Sequence, residues 1–246
     1  MIRMPALTSP LSVHRVASSG PVAGPPVLFV HGLASRGRVD WPDAEWADVL
    51  PGRERIVVDL PAHGASSAPA AALPTTAVVD LLQDVVTGAG GEVDVVSYSL
   101  GARLAWDLAG RGGVRRAVLA GLSPFEPFAL MDLAAARGAL AGGSAPADPV
   151  TGMILAMVQL PGVDSAGALN LIEGLAAEPF DPQAGVPSVP TLFVRGDADD
   201  LTSGLAELAA GVPGAAYREV PGDHLRALHT PEFRAAVRGF LISEGR

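Results

Sequence analysis

Short apolar runs recur along this chain, separated by stretches in which apolar residues return every three or four positions. Val27-Leu28-Phe29-Val30 is apolar without interruption, the pattern of a strand covered on both faces rather than one wetted on alternate residues. Residues 55–59 and 93–97 read as further buried strands, residues 114–120, 191–195 and 216–220 as strands too, and residues 11–16 alternate weakly, as an early antiparallel strand would before a turn at Ser18-Ser19-Gly20. Helical spacing fills the intervals at residues 41–50, 76–86, 100–109, 201–210 and 231–242. Buried strands alternating with amphipathic helices predict an α/β fold, a mainly parallel sheet with helices on both faces.

The rhythm breaks after Gly121. Residues 123–188 show no strand pattern, but they carry three helical stretches, at 130–140, 150–160 and 165–177. In the last of these Ala168, Leu171, Ile172 and Leu175 share one helical face. The expected organisation is a core of residues 1–122 and 189–246, with residues 123–188 inserted between two strands of one sheet as a helical cap.

With 246 residues, 49% of them hydrophobic and 17% charged, the chain can bury one full core plus an insertion. The net charge of −9 comes from scattered carboxylates, and all 17 basic residues are arginine with no basic block, so a nucleic-acid partner is not expected. There is no cysteine, which removes disulfides, thiolate metal sites and cysteine nucleophiles together. No apolar run approaches the ~20 residues that span a bilayer, and the first residues lack the apolar centre of a secretory signal, so the expectation is no membrane association and a cytoplasmic protein. No GxGxxG follows the first buried strand and no His or carboxylate cluster has ligand spacing, so no cofactor or metal is expected, only a small-molecule substrate. Nothing in the sequence speaks to oligomeric state.

The chemistry concentrates in Ser97-Tyr98-Ser99-Leu100-Gly101, which joins a predicted strand to a predicted helix. A serine at such a tight turn is pushed into the open, and the small residues two positions either side keep the turn from clashing. Ser99 therefore reads as a nucleophile, with helix capping as the plain alternative. A serine hydroxyl needs a base, commonly a histidine held by a carboxylate. Of five histidines, His224 and His229 follow the last strand, near the rim where the C-terminal strand ends of a parallel sheet gather, and the turn Pro221-Gly222-Asp223-His224 favours the former. The carboxylate candidates are Asp197, Asp199 and Asp200 after the strand at 191–195. Asp199 is placed to swing back past Gly196, and Asp200 to cap a helix at Leu201.

His31-Gly32, the stretch Asp59-Leu60-Pro61-Ala62-His63-Gly64-Ala65-Ser66, the serine pentapeptide, Gly196-Asp197-Ala198-Asp199 and Gly222-Asp223-His224 occur in an order that resembles the α/β-hydrolase superfamily. The resemblance spans nearly the whole chain. It implies the α/β-hydrolase fold with a mostly parallel eight-stranded sheet, in which residues 27–30 would be the third strand. It also implies Ser99 as nucleophile, Asp199 as acid, His224 as base, the amides of Leu33 and Leu100 as oxyanion hole, and structural roles for His31 and His63. Three departures stand out: Ser97 for the first glycine of GxSxG, Ala62 for the usual glycine before His63-Gly64, and Asp223 beside the histidine, where it could compete for the imidazole.

The implied reaction is hydrolysis of a carboxylic ester or thioester through an acyl-enzyme. Arg137 is the only basic residue between 123 and 188, against seven acidic ones, and Phe125, Phe128, Met131, Met153, Ile154 and Met157 could line an acyl pocket, so a small to medium, neutral, largely apolar substrate is expected. The run from Ser97 to Ala105 also resembles the triad-dependent menaquinone-pathway synthase of the same superfamily. C–C bond hydrolases, perhydrolases and a noncatalytic ligand-binding module are further readings.

Overall fold

The computed structural model describes residues 11–18 and 20–242. Seven strands form one sheet: β1 (Ser12–Val16), β2 (Val27–Val30), β3 (Arg55–Asp59), β4 (Val93–Tyr98), β5 (Val114–Ala120), β6 (Thr191–Gly196) and β7 (Ala216–Val220). Their order is β1-β3-β2-β4-β5-β6-β7, with β1 antiparallel to β3 and every other pair parallel. The helices are α1 (Gly37–Asp40), α2 (Asp43–Trp46), α3 (Thr75–Gly88), α4 (Leu100–Ala109), α5 (Leu133–Leu140), α6 (Pro149–Val158), α7 (Ser165–Ala177), α8 (Leu205–Ala210) and α9 (Pro231–Ile242).

The uninterrupted apolar strands are explained by the two layers that cover them. Leu28 and Val30 face one cluster with α3, α4 and α8, whereas Val27 and Phe29 face another with Trp41, Trp46 and Phe233. All four residues of β2 are fully buried, so neither face can be polar.

Three expectations are adjusted. The family frame calls for eight strands, two of them before β2; among the described residues there are seven, with β1 alone before β2, while residues 1–10 and Ser19 of the expected turn lie outside the described residues. The helix expected at 41–50 is reduced to the single turn α2 with Pro42 at its N-cap, while the preceding turn, α1, ends at Asp40, before the expected span. The helix expected at 201–210 begins as a single 3-10 turn at Asp200–Thr202 and resumes at α8 only after Gly204, which takes a left-handed φ of 90°.

Between β5 and β6, which are neighbours in the sheet, the chain makes α5, α6 and α7 and no strand of that sheet. Each of these helices starts at an aspartate whose carboxylate accepts an amide of the first turn: Asp132 from Ala135 (2.9 Å), Asp148 from Thr151 (2.7 Å) and Asp164 from Gly167 (2.8 Å). The segment is stitched to the loops after β3 by Gly64 N to Gly162 O, Asp164 N to Ala62 O and Leu73 N to Asn170 O.

Candidate active site

At the end of β4 the backbone of Ser99 adopts φ 51° and ψ −117°, outside the regions an L-residue prefers. Two glycines make this turn possible. A Cβ on Gly101 would lie 2.3 Å from the carbonyl oxygen of Val30, and one on Gly32 would lie 3.3 Å from the Ser99 Cβ. Ser97, in place of a glycine, is fully buried and donates its hydroxyl proton to the Val118 carbonyl at 2.7 Å, so the extra polar atom is satisfied inside the sheet.

The structure brings together Ser99, His224 and Asp199 from the ends of three strands. His224 Nε2 lies 2.9 Å from Ser99 Oγ, and His224 Nδ1 lies 2.8 Å from Asp199 Oδ2. With the ring proton on the Asp199 side, Nε2 is an acceptor for the serine hydroxyl. Asp199 is 1% exposed, and its other oxygen accepts the Leu201 amide at 3.1 Å, which fixes the carboxylate plane. That contact corrects one expectation: Asp199, not Asp200, caps the turn at residue 200, while also holding the imidazole. Asp197 is turned elsewhere, accepting the Gly222 amide at 2.9 Å. His229 is exposed, and the imidazole hydrogen-bonded to Ser99 is that of His224.

Asp223 does not compete for the imidazole. Its Oδ1 accepts the amides of Leu225 (3.1 Å) and Arg226 (3.0 Å), so it shapes the turn that presents His224. Tyr98, to which the sequence reading assigned no role, supports the same turn by donating its hydroxyl to the His224 carbonyl at 2.9 Å. Burial, aided by the carboxylates of Asp199, Asp40 and Asp223, raises the Tyr98 phenol and keeps it a donor. The strand alternation that sends Tyr98 to the Phe233 side of the sheet was the available signal.

Leu33 and Leu100 flank Ser99 at the cavity floor. Leu100 is the first residue of α4, where an amide has no acceptor within the helix, and the Leu33 amide donates to no acceptor among the described residues. His31 and His63 lie beneath them as buried ties. His31 donates from Nδ1 to Gly32 O (2.7 Å) and accepts the Leu60 amide (2.8 Å), while His63 donates to Pro61 O (2.8 Å) and accepts the Ala34 amide (3.0 Å). Burial pulls His31 down to about 3, with the neighbouring His63 adding to the effect, and burial lowers His63 as well, so both are neutral at pH 7.

Above Ser99 lies a cavity of about 130 Å³ lined by Phe125, Phe128, Met153, Ile154 and Met157 from the helical segment, with Leu122, Ser123 and Leu201 completing the wall. Phe128 and Ile154 are buried inside it, whereas Phe125 and Leu201 stand exposed at its mouth. Met131 is a correction: it does not line the cavity but packs into the hydrophobic core, 8% exposed, because the chain turns inward at residue 131 before α5. Arg103 reaches the wall with its donors engaged, Nε to Glu126 (2.6 Å), Nη1 to Thr75 (3.0 Å) and Nη2 to the carbonyls of Leu175 (3.0 Å) and Glu178 (2.8 Å). Arg137 is paired with Glu173 at 2.6 Å. Among the described residues no group of three or more His, Cys, Asp or Glu could hold a metal ion, and no helix is long and apolar enough to cross a membrane.

A model of the alpha/beta hydrolase family matches residues 27–237. No curated protein matches the chain. Similar solved structures include a thermophilic esterase from Thermogutta terrifontis, 22% identical with a TM-score of 0.72 over 94% of this chain and 92% of the other. A carboxylesterase structure from Nitrososphaera gargenis is 16% identical with a TM-score of 0.76, covering 98% and 97%. MenH from S. aureus is 19% identical with a TM-score of 0.72, covering 93% and 97%. At these identities the likeness is one of fold.

Proposed function

Because the chain belongs to the alpha/beta hydrolase family, we propose that it is a serine hydrolase that cleaves a carboxylic ester or thioester of a small to medium, neutral, largely apolar substrate. The observation that carries this reading is the hydrogen-bonded chain from Ser99 Oγ through His224 to Asp199, at 2.9 and 2.8 Å, opening into an apolar cavity. Ser99 Oγ attacks the carbonyl carbon as its proton passes to His224 Nε2, and the amides of Leu33 and Leu100 hold the developing oxyanion. Each such preset donor contributes about 3 to 4 kcal/mol to lowering the barrier. The imidazolium, steadied by Asp199, protonates the departing alcohol or thiol. A water molecule then gives its proton to His224 and attacks the acyl carbon, returning the hydroxyl to Ser99.

Residues 123–188 act in this proposal as the cap, and residues 1–122 and 189–246 as the core that carries the chemistry. The cavity of about 130 Å³ compares with the engineered cavity of about 150 Å³ that accepts benzene, which supports a short acyl or aryl group. Arg103 and Arg137 are already engaged by carboxylates and carbonyls, so neither is free to recognise a polyanion, which speaks against the synthase reading.

Labelling with a fluorophosphonate probe and turnover of a p-nitrophenyl ester series test the proposal. Ser99→Ala is expected to abolish both while the fold, read by circular dichroism, is retained. Undiminished ester turnover by that variant, or a clear preference for a charged acyl group, would overturn it.

A further inference from the structure

Asp40 is a buried carboxylate, 6% exposed, that has no arginine partner among the described residues and no part in the mechanism above. Taking such a group from water is costly unless donors meet it. Its two donors both come from the loop that carries Leu33: Gly32 N–H reaches Oδ2 at 3.1 Å, and the Ser35 hydroxyl meets Oδ1 in a short contact. The support behind Asp40 is rigid. A Cβ on Gly37, where α1 begins, would lie 2.5 Å from a Val57 methyl and 2.6 Å from the Val58 carbonyl oxygen; the Gly37 amide is held by Asp59 at 2.8 Å; and Trp41 packs on Phe29.

On the other side of Leu33, the Ala34 amide is held by His63 at 3.0 Å, in a left-handed backbone with φ 62°. The amides before and after Leu33 are therefore both committed, one to Asp40 and one to His63, and the Leu33 amide is the one left to meet an oxyanion. Gly32 itself packs against Ser99. We propose that Asp40 is a positioning residue, which sets the Leu33 amide for the oxyanion by pinning Gly32 and Ser35 to the last residue of α1. This rests on the serine-hydrolase reading of the same site.

The test compares the parent with Asp40→Ala, Asp40→Asn and Ser35→Ala, each normalised by fluorophosphonate titration. A misplaced oxyanion donor costs on the order of 100-fold in kcat, so Asp40→Ala should fall by about that factor with KM within twofold. Asn keeps one acceptor and should recover much of the loss. Affinity for a trifluoromethyl ketone, which forms a tetrahedral oxyanion, should fall in step with kcat, whereas a merely structural aspartate would leave that affinity unchanged per active site. If Asp40→Ala does not fold, Asp40→Asn and Ser35→Ala decide, each expected to lose several-fold in both kcat and ketone affinity. Values within 1.5-fold of the parent in all variants that fold, or a loss of kcat without loss of ketone affinity, overturn the inference alone. A parent inert to the fluorophosphonate and to every ester overturns the serine-hydrolase reading and this inference with it.

Discussion

The loops beneath Ser99 and the helices above it hold their polar groups in opposite ways. Below, the polar side chains bond mainly to backbone: His31 to Leu60 and Gly32, His63 to Ala34 and Pro61, Asp59 to Gly37 and Ala65, Ser97 to Val118, and Asp40 to Gly32, with the Ser35 hydroxyl as its one side-chain partner. Above, the aspartates that start α5, α6 and α7 act locally, Arg137 of α5 pairs side chain to side chain with Glu173 of α7, and Glu126 meets Arg103 of α4 in a buried ion pair whose side chains are 7% and 6% exposed. On the proposed mechanism the site must place a hydroxyl and two amides to within a fraction of an ångström, and it is built on backbone contacts, which cannot rotate away. In the same proposal the cover only has to exclude water and admit an apolar group, and its packing tolerates substitution.

The sharpest way to probe the lower region is Asp199→Asn. On the proposed mechanism the wrong imidazole tautomer is favoured, and kcat for an activated ester is expected to fall on the order of 10⁴-fold with the fold intact. The upper region is joined to α4 by the buried pair of Glu126 with Arg103. Arg103→Met strands the Glu126 carboxylate and is expected to cost about 3 to 5 kcal/mol in urea unfolding, part of which the double variant with Glu126→Gln should recover.

Acid separates the two regions further. Because His31 is lowered when folded, the unfolded chain binds more protons below pH 6.5. Stability conferred by the neutral ring is complete above the unfolded value and is lost as the pH falls toward about 3. This amounts to about 1.4 kcal/mol per pH unit from His31 alone. Urea midpoints between pH 7 and 4 should show that slope, and His31→Gln should flatten it while lowering stability at pH 7. The smallest effect concerns Ala62, which holds φ 67° without being glycine. Ala62→Gly is expected to relieve up to about 1 kcal/mol, a rise in Tm of about 2 to 4 °C by calorimetry.

Much of this arrangement was legible beforehand because it depends on short-range rules. Buried parallel strands must be apolar on both faces, so β2 to β6 announced themselves, and a serine between small residues at a strand-to-helix joint marks a strained turn. The helices α5, α6 and α7 were readable from their apolar spacing, although the aspartates that cap them were not singled out. What was not legible depends on distance in space. Nothing near Asp40 in sequence shows that its carboxylate meets Gly32 and Ser35 in the fold, nothing near Tyr98 shows that its hydroxyl reaches the His224 carbonyl, and the hydropathy of Met131 is the same whether it lines a cavity or fills a core.

The amino-acid order alone therefore determined the layered α/β architecture, the place of the inserted helices and the short set of residues from which Ser99, Asp199 and His224 were drawn. The tertiary structure decided which carboxylate faces which nitrogen, that Asp223 turns to its own loop, and that Arg103 is already engaged. Periodicity and turn chemistry act between neighbours along the chain, whereas hydrogen-bond partners and cavity walls are chosen among residues that only folding brings together.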